Sequence, residues 1–417
     1  MAPQGLEELA RRATAAARRL RLASGAEKDE ALMLAAGLLE DDPGALVEAN
    51  RGDLARAEAA GTPPGVLDRL RLDERRVREM AAGLRAVAAL PDPVGEVVSG
   101  GTRPNGLVVE RVRVPLGVVG VIYENRPNVT SDVAGLCVKA GNVAFLRGSA
   151  SALGSNRAVV SLLRRALSKA GLPEDGVLLV EDTSHETARR FVQLKGVIDC
   201  LVPRGGRDLV AMVEQHATVP YVVDGDGNCH VYVDRAADLE MARAILLNAK
   251  TSRPSVCNAA ESLVVHREVA ESFLALAGPD LVAAGVELVG DERARAAFSE
   301  MAQATEEDFA TEFLSLKLSV AVVDDLEGAI SHVRRFSSGH SEAIVTSDLG
   351  AARRFVREVD AAAVLVNAST RFVDGGELGL GAEVGISTQK LHARGPMGLS
   401  ALTSVRYVVY GEGQIRT

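Results

Sequence analysis

The chain has 417 residues, enough for two or three domains with a substantial core, and 47% of them are apolar and 25% charged. These proportions are typical of a folded globular protein and exclude a disordered chain. The net charge of −9, the aromatic content of 3% and the absence of tryptophan argue against binding of nucleic acid or of an anionic membrane surface.

The sequence shows no signal for export, membrane insertion or metal binding. No apolar run approaches the roughly 20 residues of a membrane helix, and charged residues follow the first positions without an apolar segment. The cysteines are too scattered for a disulfide framework, and no two have metal-ligand spacing: Cys137, Cys200, Cys229 and Cys257. We therefore expect a cytoplasmic protein with free thiols and no metal.

The amino-terminal part of the chain is predicted to be almost entirely helical. Apolar residues recur at helical spacing over residues 6–22, with arginines between them. Further helices are expected over 28–39, 43–60 and 73–90, and Asp73 is the predicted N-cap of the last. Prolines at positions 63, 64, 91 and 93 end the third and fourth of these helices.

From residue 106 the pattern changes to β-branched runs, at 107–114 and 117–123, and then to alternating strands and helices. Strands are predicted at 142–147, 176–180, 197–202 and 220–223, with helices between them. A second alternation of strands and helices runs from 230 to 366, and a last strand covers 405–410. This alternation predicts two α/β units with parallel sheets, joined near residues 224–236.

Cys257 differs from the other cysteines because it lies in a polar loop, Thr251-Ser-Arg-Pro-Ser-Val-Cys-Asn258. We interpret its position as a junction of loop and helix, where helix amides would stabilise a thiolate and an adjacent oxyanion. Cys137 and Cys200 lie in apolar runs and are expected in the core, and Cys229 is ambiguous. A structural thiol remains the alternative for Cys257.

Three predicted strands end in polar, glycine-containing or proline-containing turns: Tyr123-Glu-Asn-Arg-Pro-Asn128, Phe145-Leu-Arg-Gly-Ser149 and Val202-Pro-Arg-Gly-Gly206. Ligands of open parallel sheets bind at the carboxyl ends of strands, and a guanidinium beside glycine amides suits a phosphate group. The two cation–glycine turns indicate a phosphorylated cofactor, and simple capping turns are the alternative. Neither a P-loop nor a GxGxxG fingerprint is present.

The order of these motifs resembles that of the aldehyde dehydrogenase superfamily. The likeness is closest to the branch that reduces an acyl phosphate of glutamate, and it extends over the whole chain. It is carried by Val119-Gly-Val-Ile-Tyr-Glu-Asn-Arg-Pro-Asn-Val129, Pro203-Arg-Gly-Gly206, Asp226-Gly-Asn-Cys-His-Val231, Thr251–Asn258, Gly379-Leu-Gly-Ala-Glu-Val-Gly-Ile-Ser387 and Leu391-His-Ala-Arg-Gly-Pro-Met397.

The resemblance implies an aldehyde-dehydrogenase-like α/β fold with two Rossmann-like parallel-sheet domains and a small β arm. Residues 1–105 and 118–228 would form an NADPH-binding domain, and residues 229–400 a catalytic domain. The arm, 106–117 and 401–417, would pair subunits of a homo-oligomer, although an ordinary edge hairpin is the alternative for these strands.

The resemblance also implies an activity, the reduction of L-glutamate 5-phosphate by NADPH to L-glutamate 5-semialdehyde and phosphate through a cysteine thioester. This is the second step of L-proline biosynthesis. A hydrolytic or CoA-acylating aldehyde dehydrogenase is the alternative enzyme, and a catalytically inactive scaffold or binding module is the alternative of another class. Docking of glutamate 5-kinase, which makes the acyl phosphate, stays open.

Residue roles follow from the same resemblance. Cys257 would be the nucleophile, and Asn125 would hold the oxyanion together with the Cys257 amide. The residues expected to bind NADPH are Arg147, Gly148, Ser149, Arg204, Gly205, Gly206 and Glu312. Those expected to contact the substrate are Asn367 and, more weakly, Arg253, Arg126 and His340. Asp224 stands where hydrolytic members have a glutamate that activates water, and we expect it to be structural.

Overall fold

The computed structural model describes residues 5–223 and 225–416. Their packing forms two units. The first contains the chain up to Val223, Gly379–Gly385 and the chain from Met397 onward; the second contains the chain between Val223 and Gly379, and Ile386–Pro396. The expected change of domain after residue 228 lies slightly beyond this division, and residues 379–385 and 397–400, expected in the catalytic domain, pack with the first unit.

The helices of the described residues are α1 (Leu6–Leu20), α2 (Gly25–Asp41), α3 (Pro43–Ala59), α4 (Pro64–Leu70), α5 (Glu74–Ala89), α6 (Pro127–Lys139), α7 (Leu153–Lys169), α8 (His185–Phe191), α9 (Arg207–His216), α10 (Leu239–Thr251), α11 (Arg267–Ala283), α12 (Glu292–Ala297), α13 (Glu306–Phe309), α14 (Leu326–Phe336) and α15 (Leu349–Glu358).

The strands of the same residues are β1 (Val97–Thr102), β2 (Val108–Pro115), β3 (Val118–Tyr123), β4 (Val143–Arg147), β5 (Val177–Leu179), β6 (Cys200–Arg204), β7 (Cys229–Val233), β8 (Ala260–His266), β9 (Glu287–Gly290), β10 (Ala302–Gln303), β11 (Lys317–Val323), β12 (Ser341–Val345), β13 (Ala363–Val366), β14 (Ile386–Ser387), β15 (Gly395–Pro396) and β16 (Thr403–Tyr410).

The first unit has a parallel sheet in the order β5-β4-β3-β6, with helices packed on it. The predicted helices of the first ninety residues are confirmed, and side chains cap several of them, such as Asp73, whose carboxylate accepts from the amide of Arg76 at 2.8 Å. Helix α6 was not predicted, because most of its residues are buried and the segment lacks the polar face that marks an amphipathic helix.

The predicted strand at 220–223 is wrong. Only an isolated bridge forms there among the described residues, between Leu201 and Tyr221. The segment is apolar and β-branched, and two of its residues, Val222 and Val223, are buried beside β6. Burial therefore explains the composition that the sequence pattern attributed to a strand.

The second unit has a larger parallel sheet in the order β10-β9-β11-β8-β7-β12-β13. Its central strands are buried along their whole length, as in sheets that helices cover on both faces. One apolar cluster joins β7, β8 and β11 to α10 and α11, and another joins Tyr232 and Val264 to α14 and α15. The doubly covered parallel architecture is confirmed.

The antiparallel arm contains β1, β2 and β16, and β2 lies in the middle. Strand β1 was not predicted, since a serine and two glycines interrupt the β-branched residues of Val97-Val-Ser-Gly-Gly-Thr102 and all of it is exposed. In the described part of the chain, no helix combines the length and apolar character needed to cross a membrane.

Candidate active site

The candidate cofactor residues of the first unit lie at one edge of its sheet. Ile122 pairs with Arg147, and Tyr123 pairs with Arg204, so β3, β4 and β6 end side by side. The turns that begin at Asn125, Arg147 and Arg204 therefore share the carboxyl edge of this sheet, where ligands of parallel sheets bind.

Asn125 has a left-handed backbone, with φ of 41°, just before α6. Its side-chain oxygen accepts from the hydroxyl of Ser151 and, at 3.4 Å, from that of Ser149. The backbone amide of Asn125 donates to the Ser149 hydroxyl at 3.3 Å. These hydroxyls hold the acceptor end of the carboxamide, so its nitrogen is the end that can donate to a ligand.

Arg147 is half-buried at the end of β4, and its guanidinium donates to the carbonyls of Thr183, at 2.6 Å, and Ser184, at 3.1 Å. Its Nε is buried and makes no hydrogen bond to any described residue. Burial lowers the pKa of this guanidinium. An unsatisfied N–H on a partly desolvated cation fits an anionic ligand such as a phosphate.

Two glycines of this edge, Gly148 and Gly205, are closely packed, whereas a Cβ at Gly206 would meet nothing within 4 Å. A Cβ at Gly148 would overlap the amide nitrogen of Asn156, and one at Gly205 would lie 2.7 Å from the carboxylate of Glu124. That carboxylate also accepts from the amide of Gly206 at 3.1 Å. The amides and cations of these turns fit the phosphates of a dinucleotide, and the Gly206 amide would exchange Glu124 for such a ligand.

In the second unit, Cys257 lies in a turn between α10 and β8 and is half-buried. The expectation of a helix at this position is wrong, because the amide of Ala259 bonds to the carbonyl of Val256 at 3.0 Å and strand β8 begins at the next residue. The prediction failed because polar residues and a proline occur both in short loops and at the first turn of a helix. The other cysteines are buried.

The segment that leads into β7 packs against the backbone carbonyl of Cys257. A Cβ at Gly227 would overlap the Cys257 carbonyl, so only glycine allows this approach. The thiol of Cys229 donates to the same carbonyl at 3.1 Å. The amide of Gly227 donates to Glu312 at 2.7 Å, so this carboxylate supports the segment on which Cys257 rests. The expected contact of Glu312 with the nicotinamide ribose stays a prediction.

A buried ion pair joins the two elements on either side of the Cys257 turn. Lys250 of α10 binds Glu261 of β8, and neither side chain is exposed. The second carboxylate oxygen of Glu261 accepts from the amide of Leu314 at 3.1 Å. Burial raises the pKa of Glu261 to about 7, while Lys250 acts in the opposite direction.

His340 is completely buried, with Nδ1 2.7 Å from the Ser341 hydroxyl and 3.7 Å from the sulfur of Cys229. Burial lowers its pKa to about 4, so the ring is neutral at pH 7 and offers no charge to a carboxylate. Arg253 is exposed in the same loop as Cys257, whereas Arg126 precedes α6 in the first unit. Asp224 lies outside the described residues.

The expected place of Asn367 over the substrate pocket stays a prediction. Asn367 follows β13, has φ of 54°, and bonds through both ends of its carboxamide to the backbone of Thr346 at 2.9 Å. These residues lie at the carboxyl edge of the parallel sheet, whereas Cys257 precedes β8 at the amino edge. A strand length separates the two edges, and Asn367 therefore serves the turn that joins the ends of β12 and β13.

Sequence reasoning missed Arg371, whose side chain contacts residues on both sides of Cys257. It lies in the turn Ser369-Thr-Arg-Phe372, which carries no periodic signal, and only the tertiary fold brings it to the Cys257 loop. Among the described residues, no group of three histidine, cysteine or carboxylate side chains could hold a metal ion.

Comparison with known proteins identifies relatives along the full chain. Residues 3–281 match the model of the aldehyde dehydrogenase family. The gamma-glutamyl phosphate reductase of Carboxydothermus hydrogenoformans is 53% identical over 408 residues, 98% of each chain. The enzyme of the same name from Thermobifida fusca is 52% identical over 411 residues, 99% of this chain and 98% of its own.

Solved structures show the same relationship. The crystal structure of gamma-glutamyl phosphate reductase from Thermotoga maritima has a TM-score of 0.97 and 44% identity, and the match covers 99% of this chain and 100% of that one. An acetylating aldehyde dehydrogenase from Geobacillus thermoglucosidasius, 17% identical with a TM-score of 0.72 over 99% of this chain and 97% of that one, shares the fold.

We predict that iodoacetamide modifies Cys257 in the native protein and spares the other three cysteines. Burial raises the pKa of the Cys200 thiol to about 11, and it also raises the pKa of Cys137 and Cys229. Because the ordinary thiol pKa is about 9, Cys200 then has about a hundredfold less thiolate than an exposed cysteine at the same pH. Mass spectrometry of the native protein should show one carboxamidomethyl group, and the unfolded protein should show four. Native modification of Cys229 would contradict the prediction.

Proposed function

Because the chain belongs to the aldehyde dehydrogenase family, we propose that it reduces L-glutamate 5-phosphate to L-glutamate 5-semialdehyde and phosphate, with NADPH as reductant. This is the second step of L-proline biosynthesis, and it takes place in the cytoplasm. The observation that carries the proposal is Cys257, the one cysteine among the described residues that is only half-buried. The names of relatives at about half identity support the acyl phosphate as substrate.

The chemistry begins with the Cys257 thiolate. Its sulfur attacks the C5 carbonyl of the acyl phosphate, a carbon–sulfur bond forms, and the carbon–oxygen bond to phosphate breaks with its electron pair on the departing phosphate. A nicotinamide, when bound, supplies the hydride that reduces the resulting thioester. Reduction leaves a thiohemiacetal alkoxide on Cys257. Its oxygen re-forms the carbonyl while the carbon–sulfur bond breaks, which regenerates the Cys257 thiolate and releases the aldehyde.

Asn125 stabilises the negative oxygen that forms in both addition steps. The contacts of Ser149 and Ser151 with its side-chain oxygen support this role, because they orient the carboxamide so that its nitrogen donates. Loss of such a donor costs about 3–4 kcal/mol of transition-state stabilisation.

The phosphates and ribose of NADPH bind at the carboxyl edge of the first unit. Arg147, Gly148 and Ser149 take the adenosine ribose and its 2′-phosphate, and the turn from Arg204 to Gly206 takes the pyrophosphate. The unsatisfied Nε of Arg147 supports a phosphate at this position. Glu312 holds the nicotinamide ribose once the cofactor is bound, and Arg253 and Arg126 remain the candidates for the substrate carboxylate.

The β arm joins chains into a homo-oligomer. Its outer strands β1 and β16 leave apolar side chains in solvent, and these are 40–69% exposed: Val97, Val98, Tyr407, Val409 and Tyr410. Unpaired edge strands with apolar side chains favour association with another chain. Glutamate 5-kinase, which supplies the labile acyl phosphate, is a further partner.

We expect the purified protein to reduce NADP⁺ with glutamate 5-semialdehyde only when phosphate is present. Cys257→Ala should lower this rate at least a thousandfold and leave the Kd for NADPH within about twofold, since only the covalent step needs sulfur. Cys200→Ala, which removes a buried thiol, is the control and should retain activity. Oxidation without phosphate would indicate a hydrolytic enzyme, and oxidation that requires CoA an acylating one.

Arg147→Ala should weaken NADPH binding about 10- to 100-fold and change NADH binding less than threefold, because only NADPH carries the 2′-phosphate. Fluorescence titration of both cofactors measures the two Kd values. Arg157→Ala, on the exposed part of α7, is the control. Equal losses for NADPH and NADH would remove Arg147 from the 2′-phosphate site.

Replacing two exposed residues of β16 by glutamate, Tyr407→Glu with Val409→Glu, should reduce the molecular mass in solution to that of one chain, 43.8 kDa. Sedimentation velocity measures this mass. Leu349→Glu on α15 changes an equally exposed apolar residue outside the arm and should leave the wild-type mass unchanged. A wild-type protein that sediments as a single chain would contradict the role of the arm.

A further inference from the structure

We propose that Arg371 binds the phosphoryl group of the acyl phosphate, and inorganic phosphate when the reaction runs in reverse. This inference rests on the proposed function and names a residue for the group that the reaction releases. It depends on how the Arg371 side chain meets the Cys257 loop, on its charge balance and on the geometry of the substrate.

Arg371 spans the two ends of the loop that carries Cys257. It lies in the turn Thr370–Phe372, and its backbone amide donates to the Ser369 hydroxyl at 3.3 Å. Its Nε donates to the hydroxyl of Ser252 at 3.2 Å, and its Nη1 donates to the side-chain oxygen of Asn258. Ser252 follows α10 and Asn258 follows Cys257, so the guanidinium lies beside the nucleophile's loop.

The partner of Arg371 on this loop is itself fixed. The Asn258 side chain is 4% exposed, and its nitrogen donates to the carbonyl of Val373 at 2.9 Å. This bond determines which end of the carboxamide faces Arg371, namely the oxygen. The guanidinium is therefore held by neutral acceptors, and neither of these hydrogen bonds neutralises its positive charge.

The charge around Arg371 calls for an anion. The half-buried Arg371 makes its side-chain hydrogen bonds to Ser252 and Asn258, which are neutral, and among the described residues the carboxylate that acts on it is that of Asp374, through its charge. Burial lowers its pKa first, the charge of Arg253 lowers it further, and Asp374 and Cys257 act in the opposite direction. Two guanidinium groups and the thiol thus act on one another electrostatically, an arrangement that a bound anion stabilises.

The phosphoryl group is the anion of the substrate that suits this place. It is joined through one oxygen to the carbon that Cys257 attacks, whereas the substrate carboxylate is separated from that carbon by three others. A guanidinium beside the loop of the nucleophile can therefore neutralise charge on the departing phosphate. The planar fork of arginine matches phosphate oxygens better than a lysine does.

The reverse reaction separates the two anionic groups, because phosphate and the semialdehyde are then independent substrates. Arg371→Ala should raise the KM for phosphate about 10- to 100-fold and leave the KM for the semialdehyde within about twofold. Arg371→Lys should give an intermediate KM for phosphate. Arg334→Ala removes the same charge from an exposed position of α14 and should change neither constant.

A second measurement needs neither cofactor nor turnover. Inorganic phosphate should slow carboxamidomethylation of Cys257 in the wild-type protein and should not do so in Arg371→Ala, and added guanidinium should restore protection in that variant. This readout tests Arg371 even if the wild-type protein shows no phosphate-dependent oxidation, a result that would reject the proposed function.

Three results would overturn the proposal. A rise in the KM for the semialdehyde alone would assign Arg371 to the substrate carboxylate. Equal rises in both constants would make it a structural tie between Ser252 and Asn258. Undiminished protection of Cys257 by phosphate in Arg371→Ala would place the phosphate elsewhere.

Discussion

The candidate catalytic loop depends on the close approach of Gly227 to the backbone of Cys257. No side chain fits at position 227, and the glycine brings two further groups into place: its own amide bonds to Glu312, and Cys229 two residues later donates to the Cys257 carbonyl. The backbone of the candidate nucleophile is thus fixed by the segment that precedes β7. A backbone held in one geometry reduces the rearrangement that is needed to reach a transition state.

The buried pair of Lys250 and Glu261 makes the same loop rigid at its base. Its residues lie at the last turn of α10 and the start of β8, so the ion pair joins the two elements that enclose residues 251–260. Removing two charges from water is costly, and such pairs are weak sources of stability. Their value here is positional: separation of α10 from β8 would leave a buried charge without its partner, so the loop keeps one geometry.

The sequence predicted most helices and strands because their apolar residues recur at regular spacing. Where a helix is buried along most of its surface, as in α6, the period is weak and the helix was missed. The sequence could single out Cys257 as the candidate nucleophile because the polar loop around it contrasts with the apolar runs around Cys137 and Cys200. Arg371 could not be predicted from the sequence, since it reaches that loop from a distant turn and none of its neighbours along the chain indicates the contact.

The candidate sites lie at opposite edges of the two parallel sheets. Ligands usually bind at the carboxyl ends of parallel strands, and the cofactor candidates of the first unit obey this rule. In the second unit several side chains at the carboxyl edge bond to their neighbours; the Asp234 carboxylate accepts from Thr346 at 2.7 Å and from Tyr232 at 3.0 Å. An open cavity lined by Asp234, His266 and Asp348 lies at the same edge. The candidate nucleophile Cys257 lies at the opposite edge, on a loop entering a strand. Arg253 belongs to this loop, and Arg371 bonds to Ser252 and Asn258 on either side of Cys257. The candidate chemistry of this unit is therefore located by the side chains around the Cys257 loop and not by the direction of its strands.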